Sequence, residues 1–356
     1  MTSVQQTGRS QNNKYIYITM LNIAACFGVV MLHVNAVFHD HPSGITWITA
    51  NFINSFMYWP VPVFFMITGA TLLEYRKRYT TKVFIKKRFM KTFIPFVIWS
   101  IIGFYYFCFI DIHNGEQVKS WLPTFDDIFN HKQMSIYWFF VPLFAIYLSM
   151  PALNLLSGKW KLIRYLILYA FISYSIFPFL NETFHFTIDK YYFSPVTAGY
   201  VLYVLLGYYL HSTSLSKKTR AIIYALGIAG FALHCVGTYV LTPDYGGRET
   251  INHTFRGYLN FPCVFYAVAV FVFFKHCNFT KLTQNNTAQR IINKLHESTL
   301  GIYLVHLFCR YGIAGGLHID VASLTWRIFG SILIFVLSFV FVQCIKRIPI
   351  LRYIVP

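Results

Sequence analysis

Ten stretches of the chain are apolar over a length that can cross a bilayer, which takes on the order of 20 residues of helix. They fall around 15–37, 47–73, 92–110, 135–156, 162–180, 195–211, 220–241, 255–275, 298–316 and 323–345. Polar positions gather in the connectors between them, and no connector is long enough to fold as a domain of its own. A backbone embedded in hydrocarbon must satisfy its own N–H and C=O groups, and uninterrupted apolar runs of this length do so as helices. The pattern therefore predicts an all-α integral membrane protein, a bundle of about ten transmembrane helices. It forms one multi-pass unit over residues 1–356, with tails at 1–14 and 346–356 that are expected on the cytoplasmic side. The first apolar run is too long for a signal-peptide core and lacks a small-x-small cleavage site, so it is expected to remain as the first span.

Composition excludes a soluble globular protein: 56% of the 356 residues are hydrophobic and 12% charged, against about 25% charged in soluble domains. The charge balance is lopsided, with 30 Lys and Arg against 12 Asp and Glu and a net charge of +18. A basic excess of this size raises the question of nucleic-acid binding, which the positions of the cations answer. When the connectors are assigned alternately to two sides, 23 cations fall on the side of the N-terminus and 7 on the other. Of the acidic residues, Glu74 and Glu297 share the N-terminal side and the other ten lie opposite, so the sides carry +21 and −3. By the positive-inside rule both termini are expected in the cytoplasm, and the excess charge reads as topology, with no nucleic-acid partner. Six of the seven cysteines (Cys26, Cys108, Cys235, Cys263, Cys309, Cys344) sit in apolar runs without C-x-x-C or metal-ligand spacing and are expected to pack as small apolar groups, with no metal site.

Polar groups inside spans are the candidates for chemistry, because a lone charge in hydrocarbon costs at least ~2.5 kcal/mol. In the first span, His33 lies eleven residues beyond Asn22, about three helical turns, so both project from nearly the same face. His33 is either a catalytic imidazole at the outer end of that stripe or a neutral group bonded to a neighbouring helix. The connector Lys86-Lys87-Arg88-Phe89-Met90-Lys91 precedes Pro95. Positive-inside anchoring accounts for such a cluster, yet Arg88 and Lys91 at i,i+3, with Lys87 beside them, are also suited to the phosphates of a cytosolic anionic ligand. In the ninth span Tyr303, His306 and Arg310 recur at spacings of three and four and share one face, which points to an interior or cavity-facing stripe. His234 is isolated and reads as structural. The outer connectors 111–134 (Asp126, Asp127), 181–194 (Glu182, Asp189) and 242–254 (Asp244, Glu249) read as solvated loops. P-loop, H-E-x-x-H and G-x-S-x-G patterns are absent, as are internal repeats and the matched broken helices of inverted-repeat transporters.

In this order the pieces resemble the membrane-bound acyltransferase family 3, the integral-membrane O-acyltransferases of bacterial surface polysaccharides. The resemblance rests on the x10 spacing before His33, Val61-Pro62-Val63-Phe64-Phe65-Met66-Ile67-Thr68-Gly69, Lys87-Arg88-Phe89-Met90-Lys91 leading to Pro95, Tyr137-Trp138-Phe139 through Tyr147 and Pro151, Gly207-Tyr208, and Gly301-Ile302-Tyr303-Leu304-Val305-His306. Family members typically carry Arg where this chain has Asn22, and often Arg where it has Lys91. The resemblance implies a bacterial plasma-membrane enzyme that takes an acyl group, usually acetyl, from cytoplasmic acyl-CoA to a hydroxyl of a surface or lipid-linked glycan, with no bound cofactor. It implies donor phosphates near Arg88 and Lys91, His33 as general base or, in an alternative chemistry, as the carrier of an acyl-histidine relay, and Tyr303 and Asn22 as candidates to donate to the oxyanion. Two rival readings of the same stripes are a lipid or polysaccharide transporter without covalent chemistry and a structural partner in a glycan-assembly complex.

Overall fold

The structure is a computed structural model that describes residues 3–356 except 114, 119, 131, 133, 244–250, 280, 281 and 283, and side chains from Tyr15 onward except that of residue 190. Asp244 and Glu249 of the outer connectors, and the cations Lys119, Arg248 and Lys281, lie outside the described residues. All regular structure among the described residues is helical. Helix α1 runs Ser3–Val34, α2 Gly44–Phe56, α3 Pro60–Leu72, α4 Thr81–Arg88, α5 Ile94–His113, and α6 Phe125–Ile128. They are followed by α7 Phe140–Leu153, α8 Trp160–Phe171, α9 Phe177–Phe184, α10 Val201–Ser212, α11 Lys217–Leu241 and α12 Phe261–His276. Two further helices, α13 Asn286–Gly316 and α14 Ser331–Lys346, complete the chain.

Seven helical stretches among the described residues are long and apolar enough to cross a membrane: Tyr15–Val34, Gly44–Lys77, Thr81–His113, Ser135–Leu156, Trp160–Phe184, Lys217–Leu241 and Trp326–Lys346. Three other runs in the sequence coincide with α10, α12 and the second half of α13. The first two of these are short, 12 and 16 residues. Eight of the twelve residues of α10 are buried, so protein rather than lipid surrounds most of it and its length is freed from bilayer thickness. The backbone of α1 is helical from Ser3, well before the first apolar residue of the run, and the polar tail joins the span without a break.

Local chemistry explains the interruptions. The second apolar run is two helices, because Trp59 precedes Pro60 at the first helical position of α3, where its missing N–H is no loss. Between α4 and α5 the chain widens into a π-helical turn, Phe89–Phe93, just ahead of Pro95. A proline ring displaces the carbonyl one turn before it, and the wider turn accommodates that clash without ending the helix. The same device recurs at Ile172–Ile176 before Pro178.

Helices α1, α3 and α10 form the centre, with buried residues such as Leu21, Val30, Val63, Phe65, Leu202 and Leu205. Contact between α3 and α10 is backbone on backbone: a Cβ added at Gly69 would lie 1.9 Å from the Val204 carbonyl oxygen, and one at Gly207 would lie 2.0 Å from that of Met66. In lipid, where burial gives little drive for helices to associate, such close approach supplies the packing. Helices α11 and α14 are peripheral and expose Ile228, Val236, Val240, Leu333 and Val340, as a lipid-facing surface would. In the connector after α5, Thr124 and Asp127 form a reciprocal cap. Burial pushes the Asp127 carboxyl up, but the Thr124 hydroxyl and amide, which both donate to it, leave it below its ordinary value.

Candidate active site

The polar stripes of α1 and α13 face each other. At the far end of α1, His33 Nδ1 lies 2.8 Å from His306 Nε2, with the two rings stacked 4.9 Å apart. The other nitrogen of His306, Nδ1, lies 2.7 Å from the Tyr303 carbonyl and 3.2 Å from that of Ile302. Carbonyl oxygens only accept, so His306 Nδ1 carries a proton; the tautomers are assigned from these partners. With both imidazoles neutral, His306 Nε2 is then a bare acceptor and His33 Nδ1 must donate to it. That leaves the lone pair of His33 on Nε2. His306 is fully buried, whereas His33 lines a cavity of about 550 Å³.

Arg310 also lines that cavity, one turn beyond His306 on the same helix face. Its guanidinium lies 5.0 Å from the Tyr311 ring centroid, its Nε is buried without a partner, and its charge is within electrostatic range of both His33 and His306. Tyr303 is placed otherwise. Its hydroxyl donates to the Ile136 carbonyl, its ring packs on Tyr137, Phe139, Phe140 and His306, and it is not among the cavity's lining residues. With its proton on a backbone carbonyl, the Tyr303 hydroxyl has none left over in this structure for the oxyanion expected of it.

Asn22 lies on the same seam, about 16 Å before His33 along α1. Its Nδ2 donates to His296 Nδ1 at 3.0 Å and to Thr299 Oγ1 at 3.1 Å. The Thr299 hydroxyl donates to the His296 carbonyl, which leaves its oxygen to accept and fixes the orientation of the Asn22 amide. Asn22 thus pins the near end of the α1–α13 seam and is too far from His33 to serve an oxyanion there. Sequence reasoning missed His296, although 296, 299, 303, 306 and 310 continue one stripe at spacings of three and four. His296 lies just before the apolar run 298–316, so the stripe begins outside the span that hydropathy marks.

The basic cluster sits at the opposite end. Arg88 is half-buried, its guanidinium 5.6 Å from the Tyr147 ring centroid and 5.9 Å from that of Phe84, with Nε buried and unpartnered. Lys87 lies 4.3 Å over the Tyr79 ring, and Lys91 is exposed within the π-helical turn. Lys91 is in electrostatic range of Lys346, whose Nζ donates to the Glu297 carbonyl at 2.8 Å. Glu297 adjoins His296, the partner of Asn22, so the Lys346 end of the bundle lies beside the near end of the α1–α13 seam, which runs on to His33. His234 is buried against the Tyr58 ring, 4.5 Å between centroids, in keeping with a structural role.

A family model described as an acyltransferase domain, that of the acyltransferase 3 family, matches residues 15–343. No curated protein matches the chain, and no solved structure does. The match covers every helix from the first span through most of α14, and with it both histidines, the seam and the basic cluster. The chain belongs to the membrane-bound acyltransferase family 3, and its activity is acyl transfer.

Proposed function

We propose that the protein is an O-acyltransferase that carries an acyl group, acetyl in the simplest case, from cytoplasmic acyl-CoA to a hydroxyl of a surface or lipid-linked glycan. It does so in a bacterial plasma membrane, with ten crossings and both termini inside. The observation that carries this reading is the His33–His306 pair, whose tautomers leave a lone pair on His33 Nε2 at the wall of a cavity large enough for a sugar.

In this reading the CoA phosphates meet Arg88, Lys91 and Lys87, and the thioester arm follows the α1–α13 seam toward His33. The acceptor hydroxyl gives its proton to His33 Nε2 as its oxygen bonds to the thioester carbonyl carbon. The tetrahedral intermediate collapses with loss of the CoA sulfur, which takes the proton back from His33, and the base is restored. His306 accepts from the Nδ1–H throughout and holds the ring in register, so it is a positioning residue. Arg310, within electrostatic range of His33, offsets the negative charge that develops on the carbonyl oxygen, the part once expected of Tyr303 and Asn22.

The test is mass spectrometry of surface glycan from cells with and without the protein, alongside CoA release by membranes supplied with acetyl-CoA. Acetyl esters and CoA release that both depend on the protein support the reading. Absence of both overturns it and favours a transporter that uses the same polar stripes as a passage.

A further inference from the structure

The cavity beside His33 holds a second cation that the transfer step does not use. Arg256, only 7% exposed, lines it. Its guanidinium is clamped between two rings, 4.4 Å from the Phe38 centroid and 5.0 Å from that of Tyr58, and Nη2 donates to Asn54 Oδ1 at 3.0 Å. Among the described residues its Nε is buried without a hydrogen-bond partner. Among the described residues the one salt bridge joins Lys77 to Glu74, so no carboxylate there neutralises Arg256. Asp40 also lines the cavity but is exposed and makes no ion pair with it.

Burying a charge without an opposite charge is costly, and a guanidinium held this way has its positive charge, and the Nη protons that Asn54 does not take, left for a planar or tetrahedral oxyanion. The same cavity has an aromatic wall. Tyr258 is stacked between Tyr58 and Trp138, with centroids 4.3 and 5.4 Å away, and all three rings line the space. Flat rings beside a fixed cation and a free imidazole lone pair suit a ring-shaped ligand bearing hydroxyls and one negative group.

We infer that the acceptor is an anionic saccharide, whose carboxylate or phosphate pairs with Arg256 while the sugar packs on the Tyr58–Tyr258–Trp138 wall and turns a hydroxyl to His33. The inference rests on the transferase reading for the purpose of the hydroxyl, but not for the binding of the anion. A uronic acid and a sugar phosphate share the chemistry that Arg256 recognises, and the probes separate them.

The experiment is calorimetric titration of the full chain in phosphatidylcholine nanodiscs with methyl glucuronide, glucose 1-phosphate and neutral methyl glucoside. One charge-assisted contact predicts that at least one of the charged sugars binds at least about tenfold more tightly than the neutral one. That preference disappears in Arg256→Gln. It also disappears in Asn54→Asp, which sets an internal carboxylate against the guanidinium without removing the clamped side chain. It persists in His33→Ala. Equal binding of charged and neutral sugars by the wild type, or a preference that survives both variants, overturns the inference, as does displacement of the bound sugar by phosphatidylglycerol added to the nanodisc. A preserved preference in a protein that transfers no acyl group would defeat the transferase reading alone. Transfer to methyl glucoside with the same kcat/KM as to the charged sugars would defeat the anionic acceptor alone.

Discussion

At the scale of single residues, the proposed reaction assigns His33 to the substrate and His306 to orienting His33. His33 faces the cavity, and His306 meets only His33 and two carbonyls through its ring nitrogens. His306→Phe keeps a ring in the buried slot but removes the acceptor for His33 Nδ1–H. In other enzymes a lost base-orienting partner costs up to about 10⁴-fold, and here kcat is expected to fall at least about tenfold, with KM for acyl-CoA unchanged and the pH profile of kcat/KM displaced. An unchanged kcat and profile would make His306 a packing residue. Tyr303→Phe is expected to affect stability more than kcat, since its hydroxyl serves the Ile136 carbonyl; a fall in kcat of a hundredfold at unchanged stability would restore its catalytic role. The periodicity of 303, 306 and 310 was legible because α13 is regular there, and His33 because it is a lone ionisable group in an apolar run. Which member of a shared face does chemistry was not legible. That depends on where each polar atom finds its partner on another helix, and Tyr303 finds its own in the turn before α7.

At the scale of elements, two junctions set the geometry. The π-helical turn at Phe89–Phe93 fixes how Lys87, Arg88 and Lys91 are presented relative to α5. Pro95→Ala permits an ordinary α-helical turn and swings these side chains by about one residue, or 100°. The expected result is a raised KM for acyl-CoA at nearly unchanged kcat, as for Arg88→Ala; an unaltered KM in both variants would leave the cluster as a topological anchor only. The α3–α10 contact is the other junction. Gly207→Ala places a methyl against the Met66 backbone, which cannot yield as a side-chain tip would, so a marked loss of folded protein in detergent is expected. A melting temperature equal to wild type would contradict that packing. Pro95 stood out in the sequence beside the basic cluster, whereas Pro60 and Pro178 lie inside runs read as single spans, 47–73 and 162–180, because hydropathy does not register a proline that breaks or widens a helix. The short α10 was read as a span of 195–211 because hydropathy reports apolar character, not whether lipid or protein surrounds it.

At the scale of the whole molecule, the proposed reaction needs a donor end and an acceptor end, and the basic cluster and the His33 cavity lie toward opposite ends of the α1–α13 seam. Lys346 bonds the Glu297 carbonyl next to His296, and His296 bonds Asn22, from which α1 and α13 carry the seam to His33. Arg256 shows where the reading by charge falls short: it was counted among the outer cations, while its burial between Phe38 and Tyr58 arises from three segments distant in sequence. Labelling of single cysteines at positions 82 and 126 in intact cells is expected to find the first shielded and the second reactive; the reverse would invert the orientation. The most direct measurement of the central claim is transfer of radiolabelled acetyl from acetyl-CoA to glycan by membranes with wild type or His33→Ala at equal abundance. Loss of the base is expected to lower the rate by about 10²–10⁴-fold, and transfer by His33→Ala at the wild-type rate would contradict it.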